Sequence, residues 1–182
     1  MPEIAEILSE YENVLEDESK KFLQSSSAIY SYYKDKQYEH FDYSMPGSGF
    51  WKLIELELNS SFIWYIRIIN NVCNVNCPWT PIGRRSRSIF YEVTPRKKVR
   101  LNQYEQNSDT QLQGIMLGGI KILLEEDDIL DEFNIEHRNF LELELPFVLE
   151  KIIDLRNKHA HIKAMPLEKF EELWNTLFLK ND

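Results

Sequence analysis

Apolar side chains recur at helical spacing along most of the chain, and the breaks in that rhythm mark its organisation. Ile4, Ile7, Leu8, Tyr11, Val14, Leu15 and Phe22 fall mostly three and four apart, so residues 3–23 are predicted to form one amphipathic helix with Pro2 at its start. Tyr30, Tyr32 and Tyr33 can extend it. MPGSG at 45–49 then reads as a loop, because proline and glycine are the strongest local punctuation. From Phe50 to about Cys73 apolar residues cover nearly every face, which predicts a central, buried helix. Within it, FIWYIRII also has the composition of a strand, and periodicity does not separate the two readings.

Residues 74–108 break the helical rhythm with Pro78, Pro81, Gly83 and Pro95. SIFYEV and KVRLNQY, inside this stretch, are strand-like and predict the two halves of a small hairpin. A connection of that length between helices is usually functional or mobile. Leu112, Ile115, Met116, Ile120, Leu123 and Leu124 restore helical spacing over 110–126, and Gly118–Gly119 predicts close approach of a neighbouring helix there. Residues 127–139 read as a short turn or helical corner. Leu141, Leu145, Val148, Ile152 and Leu155 step by 4, 3, 4 and 3, a continuous helical seam. A last helix starts near Pro166 and is expected to bury Leu167, Phe170, Leu173, Trp174, Leu177 and Phe178. The expected fold is all-α. It is an antiparallel bundle of about five helices in a single domain, 1–182, with a long basic loop or small hairpin inserted at 74–108.

Charge adds one feature to this picture. The formal net charge is −9, which argues against a general nucleic-acid coat. Yet Arg84, Arg85, Arg87, Arg96, Lys97, Lys98 and Arg100 crowd into 84–100 against Glu92 alone, predicting a basic patch on an acidic body. That patch can guide an RNA backbone, with Phe90 and Tyr91 available to stack on bases. It can equally be a solvated hairpin that pairs with the acidic remainder. Cys73 and Cys77 form no disulfide framework and supply too few ligands for zinc. EEDD at 125–128 has no partner cluster for a metal, His40 and His137 stand alone, and no glycine-rich phosphate loop or dinucleotide fingerprint is present, so no metal and no cofactor is expected. The acidic amphipathic opening lacks the basic and apolar regions of a signal peptide, and no apolar run is long enough to span a membrane. A cytoplasmic protein without membrane contact is expected.

The chemistry concentrates in LRNKHAH, residues 155–161, at the end of the seam. Cutting RNA without a metal needs a base for the 2′-hydroxyl proton, an acid for the leaving 5′-oxygen, and positive charge on the phosphate. Histidine, with a reference pKa of about 6.5, suits the proton transfers. Arginine suits the phosphate, because its planar fork donates two parallel bonds and stays charged. Asparagine can orient either. Dependence on the 2′-hydroxyl makes such a reaction specific for RNA. Arg156, Asn157 and His161 are the candidates. His159 is a second proton carrier or phosphate contact, or else a cation favoured by the dipole at a helix C-terminus.

Arg156, Asn157 and His161, placed between two amphipathic helices, resemble the motif of the HEPN superfamily (higher eukaryotes and prokaryotes nucleotide-binding domain). The likeness covers roughly the last 40 residues. It implies an all-α bundle of four or five helices and a metal-independent endoribonuclease of the kind found in toxin–antitoxin, phage-defence and RNA-processing systems. It also implies a homodimer with a composite site, and an antitoxin-type protein partner. Geometry points the same way. On a continuous helix residues five apart lie about 140° apart, so Arg156 and His161 would not face one point, while Asn157 and His161 would stack. Either the helix ends between them or a second copy supplies the missing group. A non-catalytic module that binds a nucleotide or a protein in the same cleft is the alternative.

Overall fold

Helix dominates the structure, as the apolar spacing predicts. The computed structural model describes residues 4–11, 13–36, 41–82, 89–94, 97–106, 108, 110–160 and 163–178. Among these residues there are seven continuous helical runs. They are α1 (Ile4–Tyr11), α2 (Asp17–Asp35), α3 (Ser44–Leu58) running through a π-turn (Asn59–Ile63) into α4 (Trp64–Ile69), α5 (Leu117–Leu124), α6 (Asp127–Leu130), α7 (Ile135–Asn139) running through a second π-turn (Phe140–Glu144) into α8 (Leu145–His159), and α9 (Leu167–Phe178). Four short strands, β1 (Cys73–Asn74), β2 (Cys77–Pro81), β3 (Phe90–Thr94) and β4 (Lys97–Arg100), pair antiparallel as β1–β2 and β3–β4. The chain divides into two compact units, Met1–Glu57 with Glu150–Asp182, and Leu58–Leu149. Among the described residues no helix is long and apolar enough to cross a membrane.

The first unit is built on aromatic packing. Tyr30 of α2 stacks on Phe170 of α9 with ring centroids 4.8 Å apart, and Phe50 of α3 meets Trp174 edge-on at 5.2 Å. Phe50, Phe170, Leu173 and Trp174 are buried. Such aromatic pairs add about 0.5–1.5 kcal/mol each beyond their buried area. The Tyr30 hydroxyl stays satisfied at the rim, donating to Glu171 Oε1 (3.0 Å) and accepting from Lys34 Nζ (2.6 Å).

Two expectations fail in this unit. Residues 3–23 are not one helix: the chain turns between α1 and α2, with Val14 exposed rather than packed. The Glu16 N–H, which precedes α2, is taken by Glu57 Oε1 (2.9 Å), and Asp17 and Glu18 complement the dipole of the new N-terminus. MPGSG is not a loop but the first turns of α3. Pro46 sits in the opening turn, where a missing N–H costs nothing. Gly49 is there for packing: a Cβ would lie 1.9 Å from Ser26 Oγ and 3.0 Å from the Phe22 carbonyl, so α2 and α3 touch through it.

The second unit is organised by two buried polar side chains. Arg67 of α4 is fully buried. Its Nε donates to the Leu101 carbonyl (3.0 Å) and one Nη to the Gln113 carbonyl (2.6 Å). Burial pulls its pKa down to about 10, a pull the neighbouring Cys73 thiol partly offsets. Asn59, in the π-turn, clamps Ile115 from both sides: its amide donates to the Ile115 carbonyl (2.8 Å) and accepts the Ile115 N–H (2.7 Å). These bonds explain why residues 110–116 are not helical, contrary to the apolar spacing. Leu112 bridges Tyr104, and its N–H donates to the Trp79 carbonyl (2.7 Å). With its backbone groups spent on the interior, the segment cannot coil until Leu117.

Gly118–Gly119 does not mark a neighbouring helix. A Cβ on Gly118 would meet nothing within 4 Å, and one on Gly119 would strike Ile115 of the preceding segment at 2.8 Å. The seam entering α8 shifts by one place: Leu149 is buried and Val148 only half-buried. Pro146 lacks an N–H and crowds the carbonyl four residues back, and the wider π-turn just before α8 accommodates it.

Gly49→Ala is expected to destabilise the protein by about 2 kcal/mol, whereas Gly118→Ala, on an open helical surface, is expected to stabilise it by about 0.5 kcal/mol. Urea unfolding of the pair checks both signs. By the same measurement, Arg67→Met is expected to cost about 3 kcal/mol, because it strips the Leu101 and Gln113 carbonyls of their donors. A cost near zero would remove Arg67 as the organiser of this unit.

Candidate functional site

Helix α8 stops at His159, and what stops it also builds the site. Ala160 donates its N–H to the Arg156 carbonyl (2.8 Å) and Lys163 to the Lys158 carbonyl (3.1 Å), which closes the last turn. The segment that follows is tied to the chain just before α3. The Met165 N–H donates to Asp42 Oδ1 (2.8 Å), and the Tyr43 N–H returns a bond to the Met165 carbonyl (2.9 Å). Asp42 Oδ1 also accepts the Ser44 N–H (2.9 Å), an Asx-type turn that launches α3. Met165 is fully buried beneath this stitch.

Electrostatics follow from those contacts. Partial burial works against the ionised form of Asp42. The Met165 and Ser44 amides, the Ser44 hydroxyl and the nearby His159 ring outweigh it, and the carboxyl titrates below its ordinary 3.8. His159 Nδ1 lies 3.1 Å from the Ala164 carbonyl. A carbonyl only accepts, so Nδ1 carries a proton in this contact; in the neutral form of the ring the lone pair is then on Nε2. Arg156 stands three residues before His159, on the same helical face. Its Nη1 is 3.7 Å from Glu55 Oε2 of α3, with both side chains partly exposed. A pair that long and that wet holds little stability and is readily exchanged for another anion.

Beside the stitch lies an open hollow of about 450 Å³, lined by Phe41, Asp42, Ser44, Met45, Ser48, Trp51 and Ala160. Trp51 is buried, and its indole N–H has no acceptor.

The structure places three of the four motif residues in the last turn of α8. Arg156 is partly exposed, Asn157 is exposed, and His159 is half-buried and oriented. His161 lies outside the described residues; the helix does end between it and Arg156. Of the basic segment, Arg84, Arg85, Arg87 and Arg96 lie outside the described residues, and of Lys97 only the backbone, in β4, is described. Lys98 and Arg100 are exposed on either side of buried Val99, the period-two pattern of a strand with one wet face. Tyr91, paired with Val99, has its pKa raised by burial and by Asp128 and Glu126, so this part of the hairpin faces the acidic EEDD stretch. Both cysteines are free thiols.

Asp42, Glu55 and Trp51 are the site residues that apolar periodicity does not single out. For Asp42 there is a local signal: Asp-x-Ser with Pro46 two places on is a helix start. The glycines that follow hide it. No protein-family model, no curated protein and no solved structure matches the chain.

Asp42 gives a pH test of the stitch. Its folded pKa is depressed, so its contribution is whole above the unfolded value and is lost as pH falls through the folded one. Asp42→Asn is expected to lower the Tm at neutral pH, at a cost of about 1 kcal/mol. That gap should close on acidification below about pH 4. Thermal denaturation of both proteins across acidic pH checks it; a pH-independent gap contradicts the assignment.

Proposed function

We propose that the chain is a HEPN-like helical bundle that cuts RNA without a metal, by attack of the 2′-hydroxyl on the adjacent phosphate. The observation that supports this best is the end of α8. There a guanidinium and an oriented imidazole share one face, each beside a carboxylate, and Ala160, the next residue, lines an open hollow. Arg156 would exchange Glu55 for the scissile phosphate. His161 would move the proton, and His159, with Nε2 free to accept, is placed to share that work. Asn157, exposed in the same turn, would orient phosphate or imidazole.

A composite site in a homodimer would bring two such sets together. Phe140, Leu143 and Phe147 are exposed on the run into α8, apolar surface of the kind that subunit contacts use. Arg84, Arg85, Arg87, Arg96, Lys97, Lys98 and Arg100 would draw in the RNA backbone, and an antitoxin-type protein would hold the activity in check.

A second reading is a non-catalytic module that binds a nucleotide or a protein in the same cleft. The Arg156–Glu55 pair and the bond between His159 and the Ala164 carbonyl favour it, since both give the motif residues a structural employment.

Purified protein incubated with mixed RNA in a chelator separates the readings. Cleavage leaving 2′,3′-cyclic phosphate ends, reduced about 10²–10⁴-fold in Arg156→Ala and in His161→Ala, is the expected result. Intact RNA, together with nucleotide-dependent thermal stabilisation, would replace the nuclease with the binding module.

A further inference from the structure

We propose that the outer face of the β3–β4 hairpin is a stacking platform for single-stranded RNA, on which Phe90 takes a base and Lys98 and Arg100 take phosphates. The inference rests on the reading of the chain as an RNA-binding protein and names the form of RNA the hairpin would hold. Register assigns the faces. Phe90 stands opposite Arg100, Tyr91 opposite Val99 and Glu92 opposite Lys98. Opposed residues share a face and successive residues alternate. Phe90 and Arg100 therefore lie on one face, with Lys98 two residues along, and Tyr91 and Val99 lie on the other. Burial agrees: Val99 is 6% exposed, whereas Phe90 is 49% exposed and Lys98 and Arg100 are open to solvent. The inner face lies against α5, where a Cβ on Gly119 would come 3.9 Å from Val99 Cγ1. Of the two neighbouring rings, Phe90 is thus the one open to a base. Tyr91 is partly buried and feels Asp128 and Glu126, which would repel a polyanion.

The platform is fixed from below. Leu101, next to Arg100, is fully buried; its N–H donates to the Ile89 carbonyl (2.9 Å), and its own carbonyl accepts from Arg67 Nε (3.0 Å). Ile89, next to Phe90, donates its N–H to Oδ1 of buried Asn102 (2.8 Å). Both members of the Phe90–Arg100 pair are flanked by anchored backbone, so binding has little left to order. Charge and shape then select the occupant. Seven of the chain's 21 lysines and arginines fall in 84–100, which suits a polyanion. Residues two apart on a strand are ~6–7 Å apart, comparable with successive phosphates of an extended single strand. A duplex hides the faces of its bases and gives Phe90 nothing to stack on, whereas a single strand offers phosphates and base faces together. An acidic protein surface would satisfy the cations and set the ring against carboxylates.

A fluorescein-labelled 2′-O-methyl oligoribonucleotide cannot be cut by 2′-hydroxyl attack, so its anisotropy with the full chain reads binding apart from cleavage. Phe90→Ala is expected to weaken binding about 10-fold, Phe90→Trp to preserve or tighten it, and Tyr91→Phe to leave it unchanged. Lys98→Ala and Arg100→Ala should each weaken binding and lower its salt slope by about one. Inorganic polyphosphate, an anion without bases, should be indifferent to Phe90→Ala, and so should duplex RNA of the same sequence. No binding by the unaltered chain, an affinity untouched by Phe90→Ala, or an equal loss for polyphosphate overturns the platform. The nuclease is judged separately by the products of mixed RNA. Binding that depends on Phe90, with the mixed RNA left uncut, sustains the platform and not the enzyme. Cleavage by a protein whose affinity ignores Phe90 does the reverse.

Discussion

A single carboxylate oxygen governs the candidate site. Asp42 Oδ1 receives one amide from the turn that starts α3 and another from Met165, 123 residues away along the chain. The first bond decides where α3 begins, and hence where Ser44, Ser48 and Trp51 stand. The second decides where the chain goes after α8, and hence where the Ala164 carbonyl meets the His159 ring. An acceptor with two convergent N–H donors is nearly rigid, because moving it breaks both bonds at once. Such positioning is what a site gains from a scaffold: the reactive groups keep their rotamers because their neighbours leave no other choice.

The other unit uses the same device with different chemistry. Asn59 and Arg67 reach from helix to the backbone of distant, non-helical segments. Neither bonds another side chain in these contacts; both bind peptide groups. A buried guanidinium is costly to desolvate, and here two of its nitrogens meet carbonyls while Nη1 has no partner; the lowered pKa reflects that cost. The return is specificity of path. Apolar contacts alone would accept 110–116 as a helix, and the polar clamps do not.

That difference explains what could be read in the sequence. The seam from Leu141 to Leu155 and the helix after Pro166 were legible because each is set by neighbours three or four residues apart. The non-helical course of 110–116 was not, since its cause lies about fifty residues away in Asn59 and Arg67 and leaves no local pattern. MPGSG misled for a related reason. Gly49 is present for the close approach of Ser26, a tertiary demand that looks locally like a turn. At the site, Arg156, Asn157 and His159 stood out because charge is dense there. Asp42 did not, because its importance arises from Met165 rather than from its own neighbours.

The proposed site sorts charge over a short distance, and that sorting bears on what it would hold. RNA presents an anionic backbone and neutral, hydrogen-bonding bases, so a protein that grips both needs cations and acceptors in adjacent but separate places. The last turn of α8 carries the cations, Arg156, Lys158 and His159. The hollow beyond Ala160 carries the carboxylate and the serine oxygens. A plain helix terminus accounts for the cations through the macrodipole. It does not account for the Asp42 carboxylate, which the Ser44 and Met165 amides fix in the lining of a hollow shared with Phe41 and Trp51.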